Sequence, residues 1–285
     1  MSAILFAMSK KSKKYAIDPL DGLPAEVVGE WVINEKHERL TKYVNASRGA
    51  RNKYPRAGSA YIDLFCGPGR VQEKDSLKFY DGGALVASST ARENSSPFNE
   101  VHIGDLDTNL LSACEIRLKN LGESVNSYNG PASETVSDVV SKLHPYGLYL
   151  AYLDPYNLDN LPFSVIEKLS SIQKMDMIIH VSYQDLARNL DKNLDGSSNS
   201  LDNFAPGWRS AIKGLSNPNA EMRSNIIEHW INLIRDCGMK PFEQFESVRG
   251  SKNQKLYWLL FVSRHKLADK LWSEIRNVQK QHQLL

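Results

Sequence analysis

Short apolar runs alternate with helix-like patterns along the middle of the chain. Five of them are bounded by turn residues and have the length of strands: SAYIDLF (59–65), EVHIG (100–104), VNSYN (125–129), LYLAYL (148–153) and MDMIIHV (175–181). The segments between them, GALVASSTARE and NLLSACEIRLKNL among them, place apolar residues at helical spacing. This alternation predicts an α/β fold with a doubly wound, mostly parallel sheet and helices on both faces.

The alternation ends after Val181. RNLDKNLDGSSNSLDNFAPGW is polar and irregular, which predicts a loop or mobile segment. NPNAEMRSNIIEHWINLIRDCG predicts a helix that Asn217 and Pro218 begin and Gly238 ends. PFEQFESV and KLYWLLFVS flank the turn-like RGSKNQ, so we expect an antiparallel hairpin to close the sheet before a last helix from about Leu267.

These patterns divide the chain into four segments. Residues 1–57 form a basic tail, loose up to residue 22, and an N-terminal helical extension that starts near Glu26. Residues 58–183 form the first part of a Rossmann-like core, and 184–240 form a loop and helical insertion. Residues 241–285 supply the closing hairpin and the C-terminal helix of that core.

Composition narrows the class of protein. With 41% hydrophobic and 24% charged residues, the chain has the balance of a soluble globular protein. No apolar run approaches the roughly 20 residues of a membrane helix, so no membrane association is expected. The three cysteines show no CxxC spacing, which is typical of reduced thiols and predicts a cytoplasmic location.

Basic residues are concentrated in one segment although the net charge is only +2. Residues 35–56 carry seven Lys or Arg against two Glu. The ordinary interpretation is a solvated helix face and loop, and the alternative is a surface that binds nucleic acid. On the alternative, the segment lies at the same sheet edge as Asp154, and the predicted phosphate contacts are Arg48, Arg51, Lys53 and Arg70.

The motif YIDLFCGPGR (61–70) places an Asp and two glycines at the end of the first predicted core strand. Gly67 and Gly69 allow a sharp turn and the close approach of a ligand to the backbone. The third glycine of the dinucleotide fingerprint is absent, since Gln72 stands there. The next carboxylate at a strand end is Asp105, further away than a dinucleotide ribose site requires. A nicotinamide site is therefore disfavoured.

The same features suit S-adenosylmethionine (SAM). Asp63 is predicted to bind its methionine end, and Asp105 both ribose hydroxyls, although Asp105 also fits a simple strand-end turn. Pro131 and Ala132, after the third core strand, are expected beside the adenine ring. Phe65, Leu106 and Asp154 complete the predicted cofactor-binding residues.

The fourth core strand ends in LDPYNL. Asp154 and the adjoining carbonyl suit the N–H groups of an exocyclic base amine, and accepting these bonds localises the lone pair of a poor nucleophile. Tyr156 is available to stack on a base drawn out of its helix or loop. Asp154, Pro155 and Tyr156 are therefore the candidate catalytic residues, and a structural Asp-Pro-Tyr turn is the alternative.

Five stretches resemble the bacterial three-Cys-motif partner (TcmP) proteins: YIDLFCGPGR, DGGALVASS, DLDTN, YLDPYN and LYWLLFVSRHKLADKLW. That family is similar to class I SAM methyltransferases, including enzymes that methylate adenine N6 in ribosomal RNA. The resemblance implies SAM as cofactor, with Asp63, Gly67, Gly69 and Asp105 in cofactor positions and Asp154 in the catalytic one. It also implies a possible radical-SAM-like three-Cys-motif partner. No metal site is expected.

Two departures from the amine-methyltransferase pattern stand out. Asp-Pro-Pro-aromatic is replaced by Asp-Pro-Tyr-Asn, so Asn157 fills the aromatic position. The stretch 70–82 is expected to be a long loop over the cofactor mouth. The leading hypothesis is a SAM-dependent methyltransferase of a nucleic-acid base amine. The alternative is a catalytically inactive methyltransferase-fold protein that works with a three-Cys-motif partner in a bacterial defence or modification system.

Overall fold

The computed structural model describes residues 14–53, 57–215, 220–242, 246–249 and 255–275. Its strands are β1 (Tyr15–Ile17), β2 (Pro24–Val28), β3 (Ser59–Asp63), β4 (Arg70–Glu73), β5 (Phe79–Asp81), β6 (Glu100–Asp105), β7 (Val125–Asn129), β8 (Leu148–Leu153), β9 (Met175–Ser182), β10 (Lys240–Pro241), β11 (Glu246–Arg249) and β12 (Lys255–Ser263). Its α-helices are α1 (Glu38–Ala46), α2 (Arg48–Arg51), α3 (Gly83–Glu93), α4 (Thr108–Asn120), α5 (Ala132–Lys142), α6 (Phe163–Ser170), α7 (Tyr183–Leu194), α8 (Ser200–Phe204), α9 (Trp208–Ala211), α10 (Ala220–Asp236) and α11 (Lys266–Ile275). A π-helical segment, Val32–His37, leads into α1.

The main sheet has eight strands in the order β10-β12-β9-β8-β3-β6-β7, with β11 also paired to β12. The five strands from β9 to β7 are parallel, whereas β12 is antiparallel to both β9 and β11. This confirms the predicted doubly wound α/β sheet and its antiparallel C-terminal hairpin. The chain reverses its direction of winding between β3 and β8, which is where such sheets bind ligands.

Apolar side chains cover both faces of this sheet. One face packs against α5, α6, α8 and α10, and its core includes Val136, Ile166 and Trp230. The other face packs against α1, α3, α4 and α11, with Leu40 and Trp272 in its core. Because β8 and β9 contribute residues to both cores, they are buried along nearly their whole length.

A second sheet has four strands in the order β1-β2-β4-β5, and we call it the cover sheet. The β2–β4 pairing is parallel and the two outer pairings are antiparallel. The predicted loose tail is wrong for residues 15–17, and the predicted helix start near Glu26 is wrong because Pro24–Val28 forms β2. The predicted long loop 70–82 is wrong because it forms β4 and β5. β1 pairs with its sequence neighbour β2, and β5 pairs with its neighbour β4, while the parallel β2–β4 pairing joins segments that lie far apart in sequence.

The predicted loop after β9 is also wrong. α7 follows directly, because the Ser182 hydroxyl accepts a hydrogen bond from the Asp185 N–H and the side chains of Leu186 and Leu190 are buried. The predicted helix later in this segment is confirmed as α10, which is followed by Gly238 at a φ of 72°. Its predicted start at 217–218 lies outside the described residues.

Candidate functional site

A cavity of about 630 Å³ opens at the carboxyl edge of the main sheet, beneath the cover sheet. The loops after β3, β6, β7 and β8 line it on one side, and β1, β2 and the π-helical segment line it on the other. Its volume is within the range of small-molecule and cofactor sites. All the predicted cofactor-binding and catalytic residues contribute to its lining: Asp63, Phe65, Gly67, Gly69, Asp105, Leu106, Pro131, Ala132, Asp154, Pro155 and Tyr156.

The two glycines after β3 have different roles. Both have positive φ, 53° at Gly67 and 78° at Gly69. A Cβ at Gly67 would point towards the cavity, with the Glu26 carboxylate 3.8 Å away as its nearest neighbour. A Cβ at Gly69 would instead meet Cys114 of α4, 3.0 Å from Sγ and 3.2 Å from Cα. Gly67 therefore leaves room for a ligand, and Gly69 lets the loop pack on a helix.

Asp63 ends β3 beneath the glycine loop. Its side chain is 2% exposed and accepts hydrogen bonds from the Phe65 N–H (3.0 Å) and the Tyr61 hydroxyl (3.4 Å). Burial raises the pKa of Asp63 to about 8, opposed by the Phe65 bond and reinforced by the charge of Asp154. A cation bound nearby would favour its ionised form.

Asp105 ends β6 and braces the glycine loop. It accepts hydrogen bonds from the N–H groups of Gly67 and Asp107, each 2.9 Å long. Burial raises its pKa, although these two bonds oppose the shift. Asp107 caps the next helix, since its carboxylate accepts bonds from the Asn109 and Leu110 N–H groups at the start of α4.

The other predicted cofactor residues flank these carboxylates. Leu106 is 59% exposed at the mouth, whereas Ala132 is buried at the first position of α5 and Pro131 precedes it. Phe65 is half-buried in the glycine loop. They give the cavity apolar surface beside its acidic groups.

Asp154 follows β8 and forms an ion pair that the sequence did not suggest. Lys36 Nζ, from the π-helical segment, lies 2.5 Å from Asp154 Oδ1, and His180 Nδ1 lies 3.8 Å from the same oxygen. Burial opposes the charge of Asp154, but the charge of Lys36 outweighs it and lowers the pKa of Asp154. Oδ2 has no hydrogen-bond partner among the described residues, so it remains available to a donor on a ligand.

Aromatic rings surround this ion pair. The Lys36 ammonium lies 4.6 Å from the ring centroid of Tyr257 and 5.1 Å from that of Trp31. Tyr156 is 74% exposed at the mouth, with Lys14 Nζ 4.3 Å from its ring centroid. Asn157 has a structural role, because its side-chain oxygen accepts a bond from the Asn160 N–H.

Several buried polar atoms beside Asp154 have no hydrogen-bond partner within the described part of the chain. They are His37 Nδ1, both ring nitrogens of His180, and the Tyr152 hydroxyl. Burial and then the Lys36 charge lower the pKa of His37 to about 4 and that of His180 to about 3. His37 and Tyr152 line the cavity. Unsatisfied groups of this kind are costly and are typical of a site that binds ligand or ordered water.

The basic segment is divided between opposite edges of the sheet. Only its first part, with Lys36, reaches the carboxyl edge. Arg51 is 6% exposed and donates hydrogen bonds to the carbonyls of Val44 and Ser96 and to the Ser47 hydroxyl, close to where β6 begins. Arg48 and Lys53 are exposed beside it. The predicted position of this whole segment beside Asp154 is therefore wrong, because α1 crosses the sheet between the two edges.

Arg117 fixes the cover sheet to the core, and Arg70 joins segments within the cover sheet. Arg70 is a cavity-lining residue but pairs with Asp18 (2.9 Å) and Asp81 (2.7 Å). Arg117 of α4 donates to the Asp21 carboxylate and to the carbonyls of Pro24 and Pro68. Pro68 lies between the two loop glycines, so one guanidinium connects the cover sheet to the glycine loop.

Two features are absent from the described residues. No helix among them is long and apolar enough to cross a membrane. Within the same residues, no group of three or more His, Cys, Asp and Glu side chains is arranged to hold a metal ion.

Comparison with known proteins gives only distant structural likenesses. No family model matches the chain, and no curated protein matches it in sequence. Protein LPL1258 of Legionella pneumophila, of family model DUF519, is similar at 8% identity and TM-score 0.47, over 86% of this chain and 94% of that one. An rRNA methylase of Streptococcus thermophilus is similar at 10% identity and TM-score 0.39, over 80% and 93%. An O-methyltransferase of Bacillus cereus, in complex with SAH, is similar at 10% identity and TM-score 0.42, over 80% and 81%.

Likenesses at this level assign no activity. The fold therefore rests on the strand order of the chain itself, and the resemblance to three-Cys-motif partner proteins stays a prediction.

Proposed function

We propose that this chain is a SAM-dependent methyltransferase whose acceptor is an exocyclic base amine of nucleic acid, such as adenine N6. The observation that carries the proposal is the convergence of Asp63, Gly67, Asp105 and Asp154 on one cavity at the carboxyl edge of the sheet. These residues follow three different strands. A structural turn accounts for any one of them, but not for their meeting around one space of cofactor size.

The cavity fits SAM in charge and in shape. Asp63, Asp105 and Glu26 give it an acidic lining, which suits a ligand with a sulfonium and an ammonium group. Gly67 leaves the loop backbone open to the cavity, and Asp105 is positioned for ribose hydroxyls. Pro131 and Ala132 supply apolar surface for the adenine. When bound, SAM supplies an electrophilic methyl group.

Asp154 is the proposed acceptor-binding residue. Its low pKa keeps the carboxylate charged at neutral pH, and Oδ2 is available to accept an N–H bond while Lys36 holds Oδ1. Accepting that bond directs the amine lone pair out of conjugation with the base. Lys36 acts as a positioning residue, because it fixes the carboxylate and preserves its charge.

The aromatic surfaces of the acceptor side come from positions outside the amine-methyltransferase motif. Asn157 caps a turn, so Tyr156 at the mouth and Tyr257 beside Lys36 are the rings available to a base. Base stacking on such rings contributes roughly 1–3 kcal/mol.

The proposed phosphate contacts are also at the mouth. Lys14 lies against Tyr156, and Arg188 is an exposed residue of α7 close enough to Tyr257 to influence its pKa. Of the contacts expected from sequence, Arg51 and Arg70 are already paired, which favours Lys14 and Arg188 for this role.

Calorimetric titration with SAM and S-adenosylhomocysteine (SAH) tests the cofactor. The acceptor is tested by transfer of labelled methyl from SAM to total RNA and to DNA, followed by nucleoside analysis for N6-methyladenine. Asp154→Ala should retain SAM binding and lose transfer, and Asp154→Asn should keep partial activity, since an amide oxygen still accepts one N–H bond. The exposed Asp138→Ala serves as control.

Absence of binding by both ligands at high micromolar concentration would overturn the methyltransferase proposal. It would favour the inactive, partner-binding protein. Loss of SAM binding in Asp154→Ala, or full turnover by it, would show that Asp-Pro-Tyr is a structural turn.

A further inference from the structure

Glu26 is a carboxylate of the cover sheet that enters the cavity. It lies in the middle of β2, paired with Tyr15 of β1 and Val71 of β4. Its Oε2 is 3.8 Å from the position that a Cβ on Gly67 would occupy, so it faces the glycine loop across the cavity. No sequence motif indicated this residue, because it lies outside the core strands.

The charges around Glu26 place it between the two ends of the site. It interacts electrostatically with Lys14, Asp154, Lys36 and Asp105. Asp105 is at the proposed ribose end, and Lys36 and Asp154 are at the acceptor end. In a nucleoside cofactor that spans this distance, the sulfur lies between the ribose and the acceptor.

The Glu26 carboxylate forms no hydrogen bond or ion pair with any residue that the structure describes. Lys14 has the largest favourable electrostatic influence on Glu26, but the two do not pair, and burial raises the pKa of Glu26. A half-buried, unpaired carboxylate is costly to the folded protein. The unpaired atoms of His37 and Tyr152 line the same cavity, which independently indicates a ligand-binding space.

We propose that Glu26 is a cofactor-recognition residue that faces the positive charge at the sulfur of SAM. This inference rests on the proposed function. The inference extends that function by giving the cover sheet a role in discriminating between the cofactor and its product. SAM carries a positively charged sulfonium, whereas SAH carries a neutral thioether. The carboxylate then favours binding of the substrate form and release of the product form.

The test is calorimetry of the full chain and of Glu26→Gln with three ligands: SAM, its cationic amine analogue sinefungin, and SAH. Glu26→Gln should weaken SAM and sinefungin about tenfold or more, and SAH by less than about threefold, because only the first two carry charge at the sulfur position. Glu30→Gln is the matched control, since Glu30 is an exposed carboxylate four positions away that bonds to Asn34.

A stability measurement separates recognition from a structural role. Glu26→Gln without ligand should melt at the same or a higher temperature, because the substitution removes an unpaired buried charge. Equal loss of affinity for all three ligands, no loss for any, or a lower melting temperature would overturn the inference. Wild-type protein that binds neither SAM nor SAH would overturn the proposed function itself.

Discussion

Lys36 Nζ lies 2.5 Å from Asp154 Oδ1, although 118 positions separate the two residues in sequence. The lysine side chain is 4% exposed and lies against the rings of Trp31 and Tyr257. Removing one partner of a buried ion pair leaves an uncompensated buried charge, which is strongly destabilising. The N-terminal segment therefore supplies one half of the ion pair at the acceptor end of the cavity.

Lys36→Met should uncouple methyl transfer from cofactor binding. Without the ammonium, burial raises the pKa of Asp154, so the acid limb of the kcat–pH profile should move to higher pH. We expect kcat at neutral pH to fall about tenfold or more while the Kd for SAM stays within about threefold.

Lys42→Met is the control for that experiment. Lys42 pairs with Glu38 at 2.9 Å on α1 and does not line the cavity. It should leave the pH profile unchanged. An unshifted profile in Lys36→Met would show that Lys36 only packs against the rings.

Asp63→Asn should change how stability depends on pH. The folded pKa of about 8 lies above the ordinary value of 3.8, so the folded state holds a proton that the unfolded state has lost between these values. The contribution of Asp63 to stability therefore falls as pH rises from about 4 to 8. Denaturant titrations at pH 5 and pH 8 should show a smaller fall in Asp63→Asn. An identical fall in both proteins would contradict a raised pKa.

Two neighbouring carboxylates after β6 should respond differently to alanine. Asp105→Ala should weaken SAM binding by roughly tenfold to a hundredfold for each ribose hydrogen bond that is lost, because one charge-assisted hydrogen bond contributes about 1.5–3 kcal/mol. Asp107→Ala removes a helix cap and should cost about 1 kcal/mol of stability, with SAM affinity nearly unchanged. Calorimetry and denaturation on both variants check this. Equal losses of SAM affinity in the two variants would show that the loop after β6 as a whole, and not the Asp105 carboxylate, determines the affinity.

Charge reversal should locate the nucleic-acid surface. Lys14→Glu with Arg188→Glu should weaken binding of RNA or DNA across sequences and reduce its salt dependence by roughly two phosphate contacts. Arg48→Glu with Lys53→Glu changes the same charge at the opposite sheet edge and should have little effect. Titrations by fluorescence anisotropy at several salt concentrations compare the two pairs. The reverse ranking would place the surface at the amino edge.

The strands of the main sheet were predictable because burial on both faces of the sheet produces short, continuous apolar runs in the sequence. LYLAYL is apolar throughout, and in β8 only Leu148 is not fully buried. α7 was missed because its polar face dominates the composition. Leu186 and Leu190, one helical turn apart after a capping Ser182, are the signal that would have found it.

The candidate site was only partly predictable. Asp63, Asp105 and Asp154 stand at the ends of recognisable strands, so the sequence predicts that they lie together at the carboxyl edge of the sheet. The cover sheet has strands of three to five residues, too short for an alternation to be distinctive. Lys36 and Glu26 were missed because their positions depend on contacts with residues that are distant in sequence. The residues next to each of them form no distinctive motif.

The cover sheet is interlaced with the core rather than appended to it. β1 and β2 precede β3 in sequence, β4 and β5 follow it, and the parallel β2–β4 pairing joins the two halves. A truncation that removed residues 14–28 would expose one edge of β4 and remove the part of the cover sheet that lies over the cavity. The N-terminal stretch is thus not an exchangeable module. A variant that keeps the glycine loop in its present position must therefore also keep the cover sheet above the cavity.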